Sequence, residues 1–325
     1  QVVVFTKKSS DIISFDQKIE AIKSLFGFNN KVDQELSALI NKQKPDVAHF
    51  HNLYPSIGPT AYYVCKKKNI PIVQTIHNYR LSGPKGVFMS RGDSLIYSQI
   101  LSLSILFNLR KKVYDLVDHF IFPSRFTYNY YYKHVRFKIK THTIISHFVD
   151  IKISVKPVKK SNYFLFAGRF SQEKGIILLL QIFSKLPKIN LIVVGGGPQK
   201  DIVNRYKKYK NITILPWMNK NKVHRYIRKA RVVIFPSLSF EVMPLTVIES
   251  LVFGTQIVVP NRGVFIELIK NGQDGKLFDF EDFDNLKEVI IDLHRSKPKK
   301  VQTDYRKYYS PENHFIALMK VYKKL

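Results

Sequence analysis

Short runs of apolar, β-branched or aromatic residues recur along this chain, and they are continuous rather than alternating. In the first half they read VVVF (2–5), DVAHFH (46–51), PIVQTIH (71–77), HFIFPS (119–124) and HTIIS (142–146). In the second half they read YFLFAG (163–168), LIVVGG (191–196), ITILP (212–216), VVIFPS (232–237), QIVVP (256–260) and KLFDF (276–280). A strand that is apolar on both faces is buried on both faces, which requires a parallel sheet covered by helices. Helical stretches near 32–42, 57–68, 94–117 and 125–134 supply the crossovers in the first half. Two such βαβ series predict two Rossmann-like domains. The break is expected near 148–161, where FVDIKISVKPVKKSN is polar, basic and proline-bearing. The domains expected are 1–152, 153–310 and a terminal helix over 311–325 that packs back on the first, with Ser310 as N-cap and Pro311 in the first turn. The chain opens at what reads as a second strand, so the first strand and its glycine turn are expected to be missing.

With 325 residues, 45% hydrophobic and 13% aromatic, the chain can bury two cores. Its single cysteine, Cys65, excludes an internal disulfide framework and reads as a buried core thiol in a reducing compartment. The most apolar stretch, Leu95 to Leu109, is interrupted by Ser98, Gln99, Ser102, Ser104 and Asn108, which argues against a membrane span. The opening QVVVF lacks the basic start and cleavage site of a signal peptide, so the expected location is cytoplasmic. A net charge of +29 is spread over both halves, with 21 basic against 10 acidic residues in 1–150 and 32 against 14 in 151–325. Such an excess favours an anionic partner: nucleic acid, an acidic leaflet or a phosphorylated substrate. Zinc spacing, a helix-turn-helix signature and an aromatic RNA-binding motif are all missing, so no nucleic-acid partner is expected.

In parallel α/β sheets ligands bind beyond the carboxyl ends of the strands. GRFSQEKG follows YFLFAG there, with Arg169 and Lys174 flanking a turn; a guanidinium and an ammonium at one strand end suit a diphosphate. LIVVGG runs into Gly195, Gly196, Gly197 and Pro198, where backbone can approach a ligand or simply turn. After ITILP comes Trp217, the only tryptophan, which either stands beside a planar base or caps the core; the core is the expectation, with the backbone of 216–218 placed to read a base edge. FEVMPLTVIES follows VVIFPS and sets Glu241 in a loop, Pro244 in a first helical turn and Glu249 about a turn and a half into a helix. That helix would offer its positive end to an anion. In the first half His51 and His77 each end a strand, with Arg80 and Lys85 nearby for an anionic acceptor.

GRFSQEKG, GGGP, PSLSFEVMPLTVIES and FGTQIVVPNRGVFIE, in this order, resemble the C-terminal half of retaining nucleotide-sugar glycosyltransferases of family 4. The resemblance implies an α/β GT-B fold: two facing Rossmann-like domains with parallel sheets and an interdomain cleft. Glu241 to Glu249 matches the family's E-x7-E motif. On that resemblance Arg169 and Lys174 bind the donor diphosphate, Glu249 holds the ribose hydroxyls, and Glu241 with the backbone of Val242, Met243, Pro244 and Leu245 contacts the transferred sugar and phosphate. Gly196, Gly197, Trp217 and Met218 join the donor site, and His77 orients the sugar. No cofactor or metal is implied; the nucleotide-diphosphate sugar is a substrate, and the acceptor is a glycan or lipid-linked sugar of cell-surface polysaccharide or glycolipid synthesis. An inactive relative serving as partner or regulator is the second reading. The chain departs from the family in carrying Val242-Met243-Pro244 in place of glycines and Arg262-Gly263 in place of a glycine pair ahead of Glu267. The amphipathic stretch 94–112, with its Arg110-Lys111-Lys112 end, is expected to attach the protein peripherally to an anionic membrane.

Overall fold

The computed structural model describes residues 1–7, 12, 14–82, 95–110, 112–135, 137–151, 158–301 and 303–325. Much of the predicted linker, residues 152–157, lies outside them, as do Lys85 and Lys111. Contacts divide the chain into two units, Gln1–Ile145 with Ala317–Leu325, and Ser146–Ile316.

Unit 1 holds a four-stranded sheet in the order β1 (Ala48–His51), β2 (Ile72–Thr75), β3 (His119–Phe122) and β4 (His142–Ile144), with every pair parallel. β2 and β3 are buried throughout, the polar Gln74, Thr75 and His119 included. Val73, Ile121 and Ile145 pack with Val321 of the terminal helix Pro311–Tyr322, while Ala317, Leu318 and Tyr322 close over them. Ser310 caps that helix, its Oγ accepting from the Asn313 backbone N–H at 3.1 Å. Cys65 is fully buried, and burial pushes its thiol up to about 12.

Unit 2 holds six strands in the order β10-β9-β8-β5-β6-β7, again all parallel. They are β5 (Phe164–Arg169), β6 (Leu191–Gly196), β7 (Ile212–Leu215), β8 (Val232–Ile234), β9 (Ile257–Pro260) and β10 (Gly275–Phe278). Phe164, Phe166, Phe183 and Phe278 lie in one core with Leu179, Leu180, Val193, Val232, Ile234 and Val258. Each such side chain taken from water contributes roughly 1.5–3 kcal/mol, which holds the sheet rigid enough to align its strand ends.

Several expectations are corrected. Residues 2–5 form no strand; they have no ladder partner among the described residues and are largely exposed. A helix, Phe15–Leu25, stands where none was expected, opened by a capping box in which Ser14 Oγ accepts from Gln17 N and Gln17 Oε1 accepts from Ser14 N. The predicted helix over 94–117 is a helix Leu95–Arg110 and a separate 3₁₀ turn Val113–Leu116, divided at Lys112, whose φ is 52°. Nor is the first of these amphipathic: it buries Ser102, Ser104 and Asn108 and leaves Leu103 and Leu106 exposed, because Asn108 Nδ2 donates to the Leu25 carbonyl at 2.8 Å. The last correction is small: β8 stops at Ile234, and Pro244 is the N-cap rather than the first residue of Leu245–Val252. Among the described residues no helix is long and apolar enough to cross a membrane.

Candidate functional site

In unit 2 the sheet order sets β8, β5, β6 and β7 side by side and parallel, so the loops that follow them share one edge. β5 carries Arg169 as its last residue, exposed and in register with Gly196. The chain then turns through Gln172–Lys174 to Gly175, whose φ is 67°. A Cβ at Gly175 would lie 2.1 Å from the Pro236 carbonyl oxygen, so only glycine lets this turn press against the loop after β8. Gly197 is similarly enclosed: its Cβ would meet Phe170 O at 2.7 Å and Arg169 Cγ at 3.1 Å.

That packing brings Lys174 to Glu241 although 67 residues separate them. Lys174 Nζ donates to Glu241 Oε1 at 2.6 Å, and Ser237 Oγ donates to the same oxygen at 2.6 Å. The ammonium also lies 5.2 Å from the Phe235 ring centroid. The loop is held on its far side by Arg262, which donates to Leu238 O at 2.6 Å and lies over the rings of Phe240 and Phe280. Burial pulls the Arg262 guanidinium down from its ordinary value, with Glu241 opposing. Leu238 N donates to Glu173 O at 2.7 Å, which ties the two loops backbone to backbone.

The helix Leu245–Val252 begins here with no side-chain cap on its first amides. Its Thr246 Oγ1 donates to Ala167 O of β5 at 3.4 Å, so the positive helix end opens beside the end of β5. Met243 and Pro244 are buried beneath it, while Leu245 is exposed. Glu249, in the second turn, is only 7% exposed. Its Oε1 lies 3.5 Å from Lys220 Nζ and 3.1 Å from His224 Nε2. An ammonium and an imidazole of the protein therefore lie against one oxygen of a carboxylate whose donors were expected to come from a ribose. Trp217 reverses the core expectation at 72% exposure, because β7 ends at Leu215 and the indole lies beyond the sheet. It stays beside the glycine turn: a Cβ on Gly196 would sit 4.0 Å from Trp217 Cβ. Met218 is half-buried between Trp217 and Asn219, the N-cap of helix Lys220–Lys229.

In unit 1 the ends of β1 and β2 pair His51 with Thr75, and His77 follows two residues later. His51 Nδ1 and His77 Nε2 are 2.7 Å apart, a hydrogen bond that requires one ring to donate and the other to accept. His49 lies 4.2 Å from the His51 ring and is held by Tyr322 OH on Nδ1 at 2.6 Å and Thr75 Oγ1 on Nε2 at 2.7 Å. A cavity of about 310 Å³ opens beside them, lined by His77, Asn78, Arg80, Tyr54 and Gln74 among others. A larger hollow of about 740 Å³, around Lys44, Asp46 and Lys68, lies at the amino ends of β1 and β2 and so away from the end where ligands bind. Among the described residues no group of three or more His, Cys, Asp or Glu side chains is arranged to hold a metal ion.

Arg169, Lys174, Gly196, Gly197, Trp217, Met218, Glu241, Met243, Pro244, Leu245 and Glu249 thus all lie at or just beyond the carboxyl edge of one sheet. His77 lies at the equivalent edge of the other. Residue-by-residue reading missed Ser237, Arg262, Lys220 and His224. Only Lys220 and His224 carried a signal, a spacing of four in a helix, which sets both on one face.

Residues 1–153 match the family Glycosyltransferase Family 4, and residues 149–309 match Glycosyl transferases group 1. An uncharacterized glycosyltransferase of Methanocaldococcus jannaschii is 21% identical over 73% of this chain. The match spans 63% of that relative, less than two thirds of its length. The O-antigen biosynthesis glycosyltransferase WclY of Escherichia coli is 26% identical over 75% of this chain and 69% of its own. Two solved structures share the fold. Sucrose-phosphate synthase from Thermosynechococcus elongatus has a TM-score of 0.72 at 16% identity, over 93% of this chain and 79% of that one. Anabaena HepE in complex with UDP-glucose has a TM-score of 0.68 at 14% identity, over 90% and 82%. With its halves matched in tandem from residue 1 to residue 309, the chain belongs to the GT-B glycosyltransferases of family 4 and group 1.

Proposed function

We propose that the protein moves a sugar, with retention and without a metal ion, from a nucleotide-diphosphate sugar to a glycan or lipid-linked acceptor of surface polysaccharide or glycolipid synthesis. The observation that carries this reading is the pairing of Lys174 with Glu241 at the uncapped start of helix Leu245–Val252, beside Arg169's strand. An ammonium, a guanidinium and free helix amides at one sheet edge suit a diphosphate, and a carboxylate beside them suits sugar hydroxyls. Support for the donor class comes from HepE, whose structure holds UDP-glucose, and for the acceptor class from WclY, an O-antigen enzyme.

In this reading the bond between the anomeric carbon and the diphosphate oxygen breaks as positive charge develops on the sugar. Arg169, Lys174 and the helix end stabilise the negative charge on the departing diphosphate. The acceptor hydroxyl attacks from the same face, and its proton passes to the leaving diphosphate oxygen. His77 hydrogen-bonds the sugar and orients it, while Trp217 and Met218 flank the base and Glu249 holds the ribose. The positive surface implied by a charge of +29 brings the enzyme, peripheral and cytoplasmic, to an anionic leaflet.

The test is calorimetry and transfer with UDP-, GDP- and ADP-sugars, with and without chelator, and NMR of the product anomer. Binding of one donor, chelator-resistant transfer and a product anomer matching the donor's are expected. An inverted product or chelator-abolished transfer overturns the mechanism, and no binding of any donor overturns the whole assignment. Sedimentation with vesicles tests the membrane part: equal recovery with neutral and anionic lipid at low salt contradicts it.

A further inference from the structure

The surroundings of Glu249 are lopsided. The closest approaches to it are both at Oε1, Lys220 Nζ at 3.5 Å and the His224 imidazole Nε2 at 3.1 Å, and among the described residues Oε2 accepts no hydrogen bond from the protein. His224 is 0% exposed, packed against the Phe253 ring at 4.9 Å, and neither of its ring nitrogens completes a hydrogen bond. The 3.1 Å approach to Oε1 is off the hydrogen-bonding line. A fully buried imidazole in that state costs stability and calls for a reason.

We infer that His224 is a positioning residue for donor binding: its Nε2–H, with Lys220, holds Glu249 by Oε1 so that Oε2 is presented to the vicinal hydroxyls of the donor ribose. The inference rests on the reading of Glu249 as the ribose-binding carboxylate. Local structure supports it. Helix Lys220–Lys229 starts immediately beyond Trp217 and Met218, with Asn219 Oδ1 accepting from Lys222 N at 3.0 Å. That cap fixes the helix start, and a spacing of four then turns Lys220 and His224 to the same side, toward the helix that bears Glu249. A carboxylate clamped on one oxygen loses little rotamer freedom when its other oxygen accepts from a diol, which is what preorganisation contributes to affinity.

The experiment measures binding of UDP, GDP and ADP, and of their 2′,3′-dideoxy counterparts, to the full chain and to His224→Leu, His224→Gln and Lys220→Ala. For the nucleotide that binds, wild type is expected to prefer the ribose form about tenfold or more, the worth of a charge-assisted hydrogen bond. His224→Leu should lose about that factor for the ribose form and nothing for the dideoxy form. His224→Gln, which keeps an N–H in reach, should recover part of it, and Lys220→Ala should lose about threefold. Since Lys220 is half-exposed, that variant reports even if His224→Leu fails to fold. A wild-type ribose preference retained in all three variants overturns the role of His224 and leaves Glu249 standing. Absence of any preference in wild type overturns the ribose reading of Glu249 and this inference with it.

Discussion

At the carboxyl ends of β1 and β2 the side chains that meet are imidazoles, hydroxyls and amides, while at the ends of β5 and β8 they are an ammonium, a carboxylate and a guanidinium. In unit 1, His51 shares a hydrogen bond with His77, and Asn78 Nδ2 donates to Asn52 Oδ1 at 3.0 Å. Beneath them Tyr62 and Tyr114 are buried and Tyr54 is half-buried, and burial pushes all three phenols up, so they stay neutral. In unit 2, Lys174 and Glu241 form an ion pair with neither partner more than a quarter exposed. The same strand-end position in two parallel sheets thus carries hydrogen-bonded imidazoles and amides, with Arg80 in the cavity wall beside them, in one and a close ion pair in the other. Fixed charge is what a diphosphate needs, and neutral donors and acceptors are what a sugar hydroxyl needs. The architecture supplies the place and the loops supply the chemistry.

The comparison breaks first at Lys174. Lys174→Ala is expected to lower turnover about 10²-fold, as for loss of one preorganised donor, while His77→Asn should lower it about tenfold, the worth of one hydrogen bond. Steady-state transfer assays decide; a larger loss at His77 would move the main stabilisation to unit 1. Next is Gly175→Ala, expected to cost about 1–3 kcal/mol from the positive φ alone, before the clash with Pro236 O is counted. Chemical denaturation measures it, and an unchanged midpoint would show that the two loops are not pressed together. Trp217→Ala should weaken donor binding several-fold and change stability by less than about 0.5 kcal/mol, since the indole is exposed. A large stability loss would return it to a packing role.

The smallest effects are on pH dependence, where the units share a sign and differ in window: stability rises with pH in both, at acid pH in unit 1 and at alkaline pH in unit 2. Burial pushes Asp118 up, but the Ile72 N–H, Lys66 and Lys140 outweigh it and leave the carboxyl below its ordinary 3.8. A depressed carboxylate adds stability that is present above its unfolded value and lost as pH falls through the folded one, so unit 1 should weaken below about pH 4 and Asp118→Asn should flatten that slope. In unit 2, burial, then Lys300 and Arg228, bring Lys160 down to about 8, while its Nζ donates to Thr255 Oγ1 at 2.6 Å and Arg228 O at 3.0 Å. The unfolded chain binds that proton more tightly, so stability should rise with pH between about 8 and 10.5. Lys160→Met should abolish the rise; midpoints across that range decide.

Much of this was legible in order along the chain. Ten of the runs became strands; β2, β3, β8 and β9 are buried throughout, as a run between helix layers should be, while β1, β4 and β7 keep exposed or half-buried positions. Arg169, Lys174, Glu241 and Glu249 could be picked out because they follow such runs. VVVF failed because a strand needs a ladder partner, and none stands beside residues 2–5 among the described residues. Leu95–Arg110 failed as an amphipathic stretch because Ser102, Ser104 and Asn108 turn inward while Leu103 and Leu106 are exposed, Asn108 capping a carbonyl of a helix that was not foreseen.

The sequence by itself determined the two parallel sheets, the loops that reach their carboxyl edges and the residue types in those loops, since period and turn chemistry are local properties. Only the tertiary structure decided partners: that Lys174 meets Glu241, that Arg262 lies on Phe240 and Phe280, and that His224 reaches Glu249. Those pairings depend on strand order and helix docking, which bring together positions tens of residues apart, and no local pattern encodes a distance of that kind.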